Sequence, residues 1–69
     1  NIMTLKQIRT YAANSLKKKL ALRMEHDRIL GEIANYTAAL KGSSFKTYNQ
    51  SRIDKLTVDL HEVEAEMKL

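Results

Sequence analysis

Sixty-nine residues with no cysteine and a net charge of +4 make at most one domain, residues 1–69, and exclude disulfides and Cys-based metal sites. No apolar run approaches the ~18 residues of a membrane span and no signal-peptide core opens the chain, so a soluble, cytoplasmic protein without membrane contact is expected. Proline is absent, glycine occurs only at Gly31 and Gly42, and good helix formers dominate, which points to an all-α fold.

A chain this short buries only about 60% of the surface it exposes when unfolded, so it tends to lean on a partner or on copies of itself. Charge is unevenly spread. Residues 1–23 hold six basic side chains and no acid, and the rest of the chain therefore carries the difference, −2. Such asymmetry favours contact between copies, or contact with a polyanion.

The N-terminal segment reads as helix, with a stripe that drifts. Leu5, Ile8, Ala12, Leu16, Leu20 and Met24 are mostly four apart. At ~100° per residue, each step of four turns the stripe by about 40°. A bend near residues 14–19 would accommodate this; so would one long helix whose contact face rotates. With no proline or glycine in the way, the long helix is favoured, covering about residues 4–41 and spanning ~55 Å. A shorter partner helix covers only its second half. The stripe Leu5, Ile8, Ala12, Leu16, Leu20 and Met24 is then left to an oligomer or partner interface.

The middle segment has a firmer pattern. Leu22, His26, Ile29, Ile33, Tyr36 and Leu40 are spaced 4, 3, 4, 3 and 4, one face of a helix. Gly42 is placed to end it as a C′ residue with positive φ. A polar loop over residues 42–51 follows. Phe45 and Tyr48 within it either fold back over the hairpin end, or form a short β-turn structure, or mark a docking site.

The last segment is the clearest. Ile53, Leu56, Leu60, Val63 and Met67 are spaced 3, 4, 3 and 4. Ser51 and Asp54 fit a capping box that starts a helix over about residues 52–68. Glu62, Glu64 and Glu66 lie at the unfavourable end of its dipole, so the tail is expected to fray or to meet something basic. The two helices form an antiparallel hairpin. Its expected core is Leu22, Ile29, Ile33, Tyr36 and Leu40 against Ile53, Leu56, Leu60, Val63 and Met67.

Residues suited to catalysis are few. His26, His61 and Glu62 match no metal-ligand template, and His26 reads more simply as an interface residue. Nothing suggests a nucleophile with its base, a phosphate loop, or a pocket for a small-molecule substrate. The expectation is a non-enzyme without cofactor or metal. Lys6, Arg9, Lys17, Lys18, Lys19 and Arg23 form a basic segment that suits phosphates, without any sequence readout. The favoured reading of that cluster is a solvated face, or one paired with acidic neighbours.

The stretch YTAALKGSSFKTYNQSRIDKLTVDLHEVEAEM carries a further likeness. Ala38-Ala39-Leu40-Lys41-Gly42 is laid out as a helix end and Phe45–Tyr48 as a polar stretch with aromatics. Ile53, Leu56, Leu60 and Val63-Glu64 make a second helix. This layout resembles the small bacteriophage head–tail joining proteins of the lambda W type, over residues 22–67. The chain departs from that family in a shorter inter-helix segment and a longer N-terminal helix. The resemblance implies a virion neck component in the bacterial host or the virion, with many copies in a ring and basic helices near DNA. Together these features predict a structural assembly protein that oligomerises or docks on a larger complex. The alternative is a small dimeric helical regulator binding nucleic acid non-specifically through its basic N-terminal helix.

Overall fold

The computed structural model describes residues 3–42 and 44–68, in three helices: α1 (Leu5–Ile8), α2 (Leu16–Ala39) and α3 (Lys46–Met67). Ser43, inside the predicted loop, lies outside the described residues. Helices α2 and α3 pack as a hairpin, α1 packs on α2, and no strand occurs among the described residues. The all-α hairpin expected from the stripes is therefore the fold.

The continuous helix predicted over residues 4–41 is divided. Helix α1 opens with a capping box: the Gln7 backbone amide donates to the Thr4 hydroxyl at 3.3 Å, and the Thr4 backbone amide donates to the Gln7 side-chain oxygen Oε1 at 2.9 Å. It closes after one turn. The Thr10 hydroxyl donates to the Gln7 carbonyl at 2.6 Å, a local bond that competes with continued helix. Asn14 then adopts φ 63°, a left-handed conformation that asparagine tolerates better than most residues. Ser15 restarts the helix, its hydroxyl accepting from the Lys18 amide at 3.1 Å. Residues 9–15 thus turn the chain back by polar chemistry, with neither proline nor glycine involved.

The reversal brings Ile8 into the core. Ile8 and Ile29 are fully buried and Val63 nearly so, with Leu22 and Leu56 beside them. Leu5, Ala21, Ile33, Tyr36, Leu60 and Met67 pack around this cluster. Leu40 and Ile53, also expected in the core, are half-buried near the loop end. Helix α2 has 24 residues and α3 has 22, about 36 and 33 Å of helix. Their near-equal lengths leave no unmatched half of a long helix, and the molecule measures 44 × 20 × 18 Å.

The predicted loop edges also move. Helix α3 begins at Lys46, so Ser51 lies inside it and the Ser51–Asp54 capping box does not form. Asp54 accepts instead from the Gln50 side-chain amide at 2.9 Å. The earlier start follows from Asn49, which sits four residues before Ile53 and extends the buried face of α3 by one turn. Its polar side chain hid that continuation of the stripe. Farther along, the Arg52 guanidinium lies over the Tyr36 ring, 5.8 Å from its centroid. At the other edge, α2 ends at Ala39 with Leu40 in right-handed geometry and tightened bonds from the Leu40 and Lys41 amides. No glycine among the described residues has positive φ, so Gly42 does not serve as the left-handed cap. Phe45 and Tyr48 are 70% and 59% exposed and do not fold over the hairpin end.

Truncating Leu56 or Ile29 to alanine should cost about 2–5 kcal/mol. The same change at Ile8 should cost a comparable amount, because Ile8 shares their core. Denaturant melts followed by circular dichroism check this; a cost near zero at Ile8 would mean that the N-terminal turn is not part of the cooperative fold. Asn14→Val should destabilise by about 1–2 kcal/mol, since a β-branched residue resists the left-handed region, whereas Asn14→Gly should not.

Candidate interaction surface

The charged residues of the N-terminal third meet the acidic tail of the same chain. Glu66 on α3 forms ion pairs with Arg9 at 3.4 Å and with Lys18 at 3.6 Å. Glu64 lies 3.1 Å from His26 Nε2 on α2. The acidic end of α3 thus meets basic side chains, as its dipole requires. Each such partly exposed pair is worth up to about 1 kcal/mol, but together they hold the reversed segment and both helices in register. Of the six cations assigned to a polyanion, Arg9 and Lys18 are engaged here and Arg23 pairs with Asp27 at 3.5 Å. Lys6, Lys17 and Lys19 have no carboxylate partner among the described residues.

A tighter pair was not legible as such. Glu25 is buried to 8% exposure. Arg28 grips it with two bonds, Nε to Oε1 at 2.6 Å and Nη2 to Oε2 at 2.8 Å. Arg28 also reaches Glu32 one turn on. Donation to the Glu25 carboxylate, and then the nearby charges of Glu25 and Glu32, raise the Arg28 pKa above its ordinary value. The i,i+3 and i,i+4 spacings offered the signal; what spacing could not show is that Glu25 is withdrawn from water.

His26 and His61 do not converge. His26 is largely buried between the helices beside Glu64, whereas His61 is exposed. Among the described residues no group of three metal-ligating side chains comes together. No helix of the described residues is long and apolar enough to cross a membrane.

The remaining feature is apolar. The six-residue stripe assigned to an interface divides between two fates. Ile8 and Leu5 turn inward and Ala12 sits exposed on the reversing segment. Leu16, Leu20 and Met24 stay on the outer side of α2 at 71%, 55% and 71% exposure. They are successive fours on one helix, so they form a line over its first three turns. Beside that line runs an open groove of about 470 Å³ between α2 and the N-terminal segment, walled by Met3, Tyr11, Leu20, Ala21 and Met24. Three large exposed apolar side chains in a row, with a groove alongside, make a continuous apolar patch and not scattered surface residues.

No protein family, curated protein or solved structure matches this chain.

Arg28→Ala should destabilise the fold by about 1–3 kcal/mol, because it leaves the Glu25 carboxylate buried without its donor. Glu32→Ala should cost under about 1 kcal/mol, its bond being near the surface. Paired urea melts of the two variants check the ranking, and equal costs would contradict it.

Proposed function

We propose that the chain is a non-enzymatic assembly protein that works by burying the outer face of α2 against another protein chain. The observation carrying this reading is the line Leu16, Leu20 and Met24, more than half exposed along a helix whose opposite side packs on the core. Leaving that much apolar surface in water is unfavourable at about 25 cal/mol per Å², and covering it is what a partner supplies. The most concrete form is a bacteriophage head–tail joining protein, acting in the bacterial host and the virion. The support for that form is the layout of Ala38–Gly42 followed by Leu56, Leu60 and Val63-Glu64. The polyanion-binding alternative has weaker support, because half of its six cations already pair with carboxylates of the same chain.

Leu20→Lys, in the middle of the line, tests the reading. In cross-linked lysates of the natural host, the unaltered chain should migrate within a larger assembly. The variant should migrate free, with unchanged helical content by circular dichroism. Portal and tail proteins in the recovered assembly would mark the head–tail form. An unaltered chain that migrates alone would overturn the assembly reading.

A further inference from the structure

Helix α2 carries two seams, back to back. The inner one contains Leu22, Ile29 and Ile33 and packs on α3. The outer one is Leu20, Met24, Asp27, Gly31, Ala34 and Ala38, preceded by Leu16. Its spacings after Leu20 are 4, 3, 4, 3 and 4, and every member is exposed. A repeat of that spacing is the pattern by which one helix seats another. None of the described residues covers it.

The outer seam is graded in size. Large residues fill its N-terminal half and glycine or alanine its C-terminal half, with Asp27 between. A Cβ built at Gly31 would meet nothing within 4 Å, so the fold of the single chain has no need of glycine there. Glycine is nevertheless a poor residue for a helix interior. A closely approaching helix gives it a purpose.

Electrostatics point the same way. Helix α2 has no acid in its first turn and no base in its last, so its own charges leave both dipole ends uncompensated. Its first turn instead holds Lys17, Lys18 and Lys19. A second α2 running in the opposite direction would bring lysines to the carboxyl end that lacks them.

We propose that the occupant of the outer α2 face is a second copy of this chain, docked antiparallel about a two-fold axis at Asp27; this rests on the assembly reading above and names its partner. The register follows from the size gradient. Leu16 lies over the partner's Ala38, Leu20 over the partner's Ala34, and Met24 within one residue, about 1.5 Å, of the level of the partner's Gly31. Large side chains enter the space that small ones leave, at every layer except the centre. There the two Asp27 carboxylates approach each other, and Arg23 relieves the repulsion. It already lies 3.5 Å from Asp27 of its own helix. Across the axis it stands four residues from the partner's Asp27, an offset of about 6 Å, within reach of its long side chain. A parallel pair would stack leucine on leucine at one end and leave a gap over glycine and alanine at the other.

The absence of cysteine makes the register directly testable in the full chain. Leu20→Cys and Ala34→Cys are prepared separately, mixed and oxidised. The mixture should form a disulfide-linked dimer, and neither variant alone should. Self-linking of Leu20→Cys would overturn the antiparallel arrangement. Gly31→Leu provides a second arm. Its side chain meets open space in one copy, so the fold and helicity should be kept. In the dimer it collides with the partner's Met24, so the dissociation constant from sedimentation equilibrium should rise by at least about tenfold. An unchanged constant, or a native chain that is monomeric at high micromolar concentration, would overturn the proposal. A monomeric chain whose Leu20→Lys variant is still lost from the host assembly would leave the assembly reading intact with a different partner. If that variant is retained, both fall.

Discussion

Two helices joined by a short loop share one seam, and a single seam leaves each helix half wet unless a third element closes its side. Burial of Ile8 against Leu22, Ile29, Leu56 and Val63 supplies that closure. The rest of the arrangement depends on it. Glu25, withdrawn from water on α2, has Arg28 beside it. Arg9 and Lys18 arrive next to Glu66, and the acidic end of α3 gains the cations its dipole favours. The fully buried core is small, as expected for a chain of this length, so each of these contacts weighs more here than in a larger domain.

The same reversal creates the candidate surface. A straight N-terminal helix would have carried Leu5, Ile8, Leu16, Leu20 and Met24 together as one uncovered stripe. Folding back at Asn14 takes the first two inward and leaves the last three outside, alongside a groove walled by Met3 and Tyr11. The intramolecular ion pairs also change what the basic segment has to offer. Charges that looked available to a polyanion serve in part to hold the chain's own ends together, and the apolar line becomes the more distinctive exposed feature. The outer seam of α2 continues that line over the full helix, with small residues at the far end.

The sequence by itself determined the all-α hairpin and the inward faces of its two long helices. Heptad spacing in Leu22–Leu40 and Ile53–Met67 reflects a local geometry of 3.6 residues per turn, so it holds whatever the helix packs against. It also set Leu16, Leu20 and Met24, together with Leu5, Ile8 and Ala12, on a stripe without a partner in the hairpin. What only the tertiary structure decided is where helix stops and which stripe residues turn inward. The break at residues 9–15 depends on the Thr10 hydroxyl, the left-handed Asn14 and the Ser15 cap, each weak alone. They prevail because stopping there lets Ile8 reach the core. The early start of α3 was hidden for a related reason: Asn49 occupies a buried position with a polar side chain, and periodicity reads only apolar ones. The pairing of Glu25 with Arg28 was visible as spacing but not as burial, because burial depends on tertiary packing and not on spacing along one helix.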